Sequence, residues 1–244
     1  MSFIADVRAL RRSWKVYHSN PEHDRALDAL NARYVGQGDL VFDVGAHVGH
    51  RTASFLRLGA RVVAVEPQWL PASLIRTVWG WRGATVVRAA CGPAAGVASM
   101  RVNVANPIVS TLSSDFVAAS RGAPGWEGQS WDRTVEVPVT TLDDLIATYG
   151  VPAFIKIDVE GFEAEALAGL SRRVKALSFE FTTIQACIAL TCIQRCEALG
   201  FSRFNAVIGE SHQRVFEEDT NAEGVHAWLA ALPPEANSGD IYAT

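Results

Sequence analysis

Long apolar runs are missing from this chain. No stretch reaches the roughly 18–20 uninterrupted apolar residues of a membrane span, so none is expected. Runs of positive charge are missing as well. The formal net charge is −4 and the Lys and Arg residues are scattered, which argues against nucleic acid as a partner. Cysteine is sparse. The four present, Cys91, Cys187, Cys192 and Cys196, lack the Cys-x-x-Cys pairing of a structural zinc site and read as reduced, small apolar packing residues. Met1 to Tyr17 intersperses Asp6, Arg8, Arg11, Arg12 and Lys15 among apolar residues and has no signal-peptide core, so the expected location is the cytoplasm. Internal repeats and low-complexity segments do not stand out, and nothing sets an oligomeric state.

What the chain does have is enough length, 244 residues, and enough apolar content, 49%, for one large α/β domain. Leu40-Val41-Phe42-Asp43-Val44 reads as a strand buried on both faces. Gly45-Ala46-His47-Val48-Gly49 follows as a glycine-bounded turn into a helix. Such a turn aims free backbone N–H groups and a helix N-terminus at whatever sits above the strand. A second strand, Arg61–Val65, ends at Glu66-Pro67, and Glu66 follows Gly45 by 21 positions. An acid at about 20 residues from the glycine turn is the one that accepts hydrogen bonds from ribose hydroxyls in nucleoside-binding sheets. Pro67 has no N–H and stops the strand there. A nucleoside-containing ligand is the expectation.

Residues 1–35 read as an N-terminal helical cap, 36–220 as the main α/β domain and 221–244 as a C-terminal helix with a loose tail. In the main domain the helix–strand rhythm runs through 47–58 (helix), 61–65 (strand), 70–78 (helix) and 84–90 (strand), the first half of a doubly wound sheet. Backbone groups at Ala90 and Cys91, at the end of that third strand, would read the base. The rhythm breaks between Gly96 and Pro138, where 97–104 alternates like an antiparallel strand. The segment 121–132, with Trp126 and Trp131, reads as a loop whose rings either contact a ligand or fold back on the core. Strand 134–139 and a helix capped by Thr140 or Thr141 lead into the second half: strand 153–158, helix 162–170, strand 174–181 and helix 185–199. Segments 201–208 and 214–217 could form a final antiparallel pair.

Phe154-Ile155-Lys156-Ile157-Asp158-Val159-Glu160-Gly161-Phe162-Glu163 is the second informative stretch. Lys156 falls inside a buried strand, where an ammonium needs a partner. Side chains alternate along a strand, so Lys156 and Asp158 share a face; Asp43 and Glu180 are the expected further partners. Asp43 and Asp158 would flank the point where strand order reverses, the place where ligands bind in open α/β sheets. Acids meeting there suit a cationic ligand, a metal, or an acceptor that gives up a proton.

Together, Asp43 to Gly49, Glu66-Pro67 and Ile155 to Glu163 resemble the FkbM-type S-adenosylmethionine-dependent methyltransferases, over roughly residues 35 to 205; Val109 to Leu112 resembles a Ser-rich segment of that family. His47 departs from it, standing where the family usually has Asn. The resemblance implies a Rossmann-like methyltransferase fold: a doubly wound seven-stranded sheet with one antiparallel edge strand. It implies that Asp43, Gly45, Ala46, His47, Val48 and Gly49 hold the methionine part of S-adenosylmethionine, that Glu66, next to Pro67, holds the ribose, and that Ala90 and Cys91 flank the adenine. The expected reaction is O-methylation of a small-molecule, sugar or natural-product hydroxyl. Asp158 and Glu160 are the candidates for base or acceptor-orienting group, with Lys156 and Glu180 holding them and His212 an outside candidate; Asp158 also lies beside the cofactor. A Mg2+ ion on Asp158 and Glu160, with or without Glu180, is a variant that is not favoured. The alternatives are an NAD-dependent oxidoreductase, against which stands the lack of Gly-x-Gly-x-x-Gly spacing, and a nucleoside-binding module without catalysis.

Overall fold

The computed structural model describes residues 3–244. Helices α1 (Phe3–Tyr17) and α2 (Pro21–Asn31) precede β1 (Leu40–Val44), α3 (His50–Arg57), β2 (Arg61–Val65), α4 (Trp69–Trp79) and β3 (Ala84–Val87). An inserted unit follows: β4 (Ala90–Cys91), β5 (Gly96–Val102), α5 (Ser114–Ser120) and β6 (Arg133–Thr140). The second half comprises α6 (Leu142–Tyr149), β7 (Phe154–Ile157), α7 (Glu163–Ala168), β8 (Ala176–Thr182), α8 (Ala186–Ala198), β9 (Phe204–Ile208), α9 (Ala222–Ala230) and β10 (Ser238–Ala243).

The main sheet has the order β3-β2-β1-β7-β8-β10-β9. All its pairings are parallel except those of β10, which runs antiparallel to both β8 and β9 near that margin of the sheet. From β1 the chain winds outward through β2 and β3, then returns to β7 and winds the other way. Strand order therefore reverses between β1 and β7, which opens a crevice above their carboxyl ends. Both faces of these strands are covered, as the apolar runs require. Phe42, Val44, Ile155, Ile157, Leu177 and Phe179 pack on one side, and Val41, Val62, Phe154 and Phe55 on the other. Thr141 caps α6 through a reciprocal pair with Asp144.

Three sequence expectations need correction. The strand expected over 84–90 stops at Val87; Ala90 and Cys91 leave the main sheet and pair with Val139 and Thr140 in a second sheet, β4-β6-β5. The tail is not loose: residues 238–243 form β10, and Ile241 and Ala243 are buried. The antiparallel partner of β9 is β10 rather than 214–217, since Arg214 makes only an isolated bridge to Val207. The reason is hydrogen-bond supply. Buried N–H and C=O groups along facing strands need a ladder on each side, and β10 provides it to β8 and β9 at once.

Candidate active site

The turn after β1 is shaped by its neighbour. Gly45 has φ +84°, and a Cβ there would lie 1.7 Å from the Asp158 carbonyl oxygen. Only glycine lets the end of β1 lie this close to the end of β7. Gly49 serves packing of another kind: a Cβ would sit 2.9 Å from Trp79 Nε1, so it brings α3 against α4.

Above these strand ends lies a cleft with three adjoining parts. The first is lined by Gly45, His47, Glu66, Pro67, Ala90 and Cys91, among others. The second is lined by Asp43, Ala46, Val48, Tyr17, Arg51 and Glu210. The third is lined by Tyr17, Trp126, Glu180, Glu210, Asn237 and Asp240. Asp158, Glu160 and Ile108 line all three parts. Three of the expected residues do not line the cleft: Gly49, which faces Trp79, Lys156, which donates to Asp158, and His212.

Glu66 is 3% exposed and rigidly held. Its carboxylate accepts the backbone N–H of His47 at 2.9 Å and of Gln68 at 2.8 Å. Burial nevertheless raises its pKa to about 7, against those two hydrogen bonds. Asp43, also buried, accepts the Thr52 hydroxyl at 2.5 Å, and burial lifts it to about 6. His47 takes a left-handed backbone, φ +45°, a region in which Asn and His are enriched. Burial lowers its ring to about 4, so it is neutral near pH 7.

The acids beside β7 form a graded set. Lys156, 3% exposed, donates to Asp158 Oδ2 at 3.1 Å and to Asp240 Oδ1 at 2.6 Å. Asp43, although in register beside Lys156, is engaged with Thr52, and the second carboxylate partner is Asp240. Arg51 Nη2 reaches Asp240 at 3.5 Å and Glu210 at 3.2 Å. Burial pushes the Asp158 carboxyl up, but Lys156 and Arg51 outweigh it and hold the group below its ordinary value. Glu160 and Glu180 lack such cations at close range. Burial, then the charge of Asp158, raises both well above the ordinary range. The result is a graded set of acids, with the Asp158 carboxyl held down and the Glu160 and Glu180 carboxyls pushed up. Glu180 Oε2 is buried without a hydrogen-bond partner and belongs to a side chain lining the third part of the cleft. Carboxylate oxygens of Asp158, Glu160 and Glu180 lie within 4.8 Å of one another, close enough to share a cation. Glu163 acts locally, since its Oε1 accepts the N–H groups of Val159 and Gly161 and closes the turn.

The sequence reading missed Arg51, Glu210 and Asp240. Asp240 sits in the tail taken as loose, and no local pattern ties 51, 210 and 240 together. Tyr17, at the end of α1 in the N-terminal cap, lines the second and third parts of the cleft. Trp126 combines its two readings: its ring packs edge-on to Phe116, centroids 5.0 Å apart, and also lines the third part of the cleft. Trp131 Nε1 donates to the Val109 carbonyl at 2.8 Å and folds inward. His212 lines none of the three parts.

A profile of the FkbM methyltransferase domain matches residues 43–235. The chain belongs to this family. It is an S-adenosylmethionine-dependent methyltransferase, and the oxidoreductase alternative falls away. The fold is that of a TehB-like SAM-dependent methyltransferase from Corynebacterium glutamicum, at TM-score 0.52 and 11% identity, covering 98% of this chain and 97% of that one. Looser likenesses are to precorrin-6y C5,15-methyltransferase from Geobacter metallireducens (TM-score 0.45, 14% identity, 91% of this chain and 86% of that one). Aeropyrum pernix fibrillarin is similar at TM-score 0.46 and 10% identity, over 86% of this chain and 68% of that one. A sequence search of curated proteins finds no match. Among the described residues, no helix is long and apolar enough to cross a membrane.

Proposed function

We propose that this FkbM-family enzyme methylates a hydroxyl group on a small molecule, sugar or natural product. The reading is supported above all by the position of Asp158 and Glu160, which line all three parts of the cleft. The donor set fits S-adenosylmethionine: a carboxylate fixed by two backbone N–H groups for a diol, apolar walls at Ala90 and Cys91 for a flat base, and acidic groups for a cationic end. When bound, this cofactor supplies an activated methyl group on a positively charged sulfur.

The chain's own residues supply alignment and proton transfer. Glu66 accepts the ribose hydroxyls. Asp43 and the 45–48 turn line the methionine end. Tyr17 and Trp126 wall the acceptor compartment and keep water out. Asp158, held below its ordinary pKa by Lys156 and Arg51, would accept the acceptor hydroxyl's hydrogen bond and take its proton as the methyl group left sulfur for oxygen. Glu160 and Glu180, whose carboxyls burial pushes up, line the same part of the cleft, and either could donate to the one lone pair of the acceptor oxygen that the transfer does not use. Lys156 works as a positioning residue, since it touches Asp158 and not the cleft.

Methyl transfer from labelled cofactor to a panel of hydroxylated acceptors, with NMR of the product, tests this reading. A methoxy product is expected; a C-methyl or N-methyl product contradicts it. In Asp158→Asn, kcat should fall by about 10²–10⁴-fold while S-adenosylhomocysteine still binds, and an unchanged kcat removes Asp158 from the role. Activity should survive excess chelator; loss that Mg2+ restores would assign Asp158, Glu160 and Glu180 to a metal.

A further inference from the structure

Four of the six histidines crowd together beside the cleft, and the transfer reaction uses none of them. His23 stacks on His50 at 5.4 Å, His50 meets His18 edge-on at 5.5 Å, and His23 lies 4.3 Å from His212. Two of the four have ordinary partners: His18 Nε2 faces the Val48 carbonyl at 3.2 Å, and His50 Nε2 faces Asp24 Oδ1 at 3.1 Å. The other two point at each other, Nε2 to Nε2, at 2.9 Å. Glu210 Oε2 stands 3.7 Å from each of those nitrogens.

We propose that His23, His212 and Glu210 form a binding site for a borderline divalent transition metal of the Zn2+ class, joining α2 to the segment after β9. A tetrahedral ion with metal–nitrogen bonds of about 2.0–2.1 Å sets its ligand atoms about 3.3 Å apart. The observed spacings of 2.9 and 3.7 Å bracket that value. A proton shared between two imidazoles would account for the short nitrogen–nitrogen contact. It would not account for a carboxylate equidistant from both.

Three further features suit a metal. The His212 side chain is 1% exposed, so its ring is held away from solvent at the proposed site. His212 also holds a left-handed backbone, φ +54°, a strained conformation that fixes the ring opposite His23. Arg51 Nη2 donates to both oxygens of Glu210, at 3.2 Å to Oε2 and 3.4 Å to Oε1, a contact that orients the carboxylate. Two imidazoles and one carboxylate leave a fourth position for water, and they select Zn2+, Co2+ or Ni2+ over Mg2+. The all-carboxylate set of Asp158, Glu160 and Glu180 would show the opposite preference. Because Tyr17 and Glu210 both line the cleft, an ion here would fasten the N-terminal helices over it.

The test is metal binding by the full chain, stripped with chelator and then titrated with Co2+ and Zn2+ in the presence of excess Mg2+. One Co2+ per chain should bind with a visible ligand-field band, and saturating Zn2+ should raise Tm by about 5–10 °C. His23→Gln and His212→Gln should each weaken Co2+ binding by at least about 100-fold, whereas a protein carrying both Asp158→Asn and Glu180→Gln should bind it as before. His23 is the more exposed of the two imidazoles, so its variant carries the test if His212→Gln does not fold. Failure to retain Co2+, equal binding in the His23 variant, or loss only in the acid double variant would each overturn the proposal. None of these readouts depends on methyl transfer.

Discussion

Glu66 is bound in place by two N–H groups and yet titrates near neutrality. Its folded pKa of about 7 lies above the ordinary 4.5. The folded form therefore holds the proton more tightly than the unfolded chain does. The stability tied to this group is present at low pH and is lost as pH rises from the unfolded to the folded value. The loss is on the order of 3 kcal/mol. Melting curves of ligand-free protein at about pH 5 and about pH 8 should show Glu66→Gln gaining on the wild type at the higher pH; a constant gap would contradict the shift. Asp240 acts through its neighbours. In Asp240→Asn the buried Lys156 keeps Asp158 as its one close carboxylate and draws the Asp158 pKa lower still, making it a weaker base. We expect kcat to fall about tenfold and the acid limb of the pH–rate profile to move to lower pH, with S-adenosylhomocysteine affinity nearly unchanged. The loss of one partner from a buried ion pair should also cost about 3 kcal/mol or more. A variant that lowers Tm alone would reduce Asp240 to a structural role.

At the scale of elements, β1, β2 and β7 were legible because each is a mostly apolar run that stops at Gly45, Glu66 or Asp158, with Asp43 and Lys156 as the internal exceptions. α3 begins later than its apolar spacing suggests, at His50, because the turn from Gly45 to Gly49 takes left-handed conformations at Gly45, His47 and Gly49 that no helix admits. β10 was hidden for the opposite reason. Ser238-Gly239-Asp240-Ile241-Tyr242-Ala243 has few apolar residues and a glycine, and it is a strand only because β8 and β9 need a ladder between them. The same turn yields a sharp test. Gly45→Ala would drive a methyl into the Asp158 carbonyl, so β1 and β7 must part. The expected cost exceeds about 3 kcal/mol, a drop in Tm of roughly 6–12 °C for a chain of this size, and a variant melting like the wild type would mean that the two strand ends are not so closely apposed.

Taken whole, the molecule places residues 43, 66 and 158 around one crevice although the sequence separates them widely. The sequence reading could pair them because each lies at the carboxyl end of a parallel strand, and such ends converge at a switch point. It could not find Arg51, Glu210 or Asp240, whose charges meet the acid cluster only after α3, the segment beyond β9 and the final strand have come together. Nor could it see that Glu180 opens onto the third part of the cleft instead of standing behind Asp158. The central claim is that the cofactor lies across this crevice with its sulfur beside the carboxylates. A crystal structure with S-adenosylhomocysteine tests it most directly. The expected result is ribose hydroxyls on Glu66, adenine against Ala90 and Cys91, and the sulfur facing Asp158 and Glu160. A ligand seated elsewhere, or one whose sulfur turns away from those carboxylates, would contradict it.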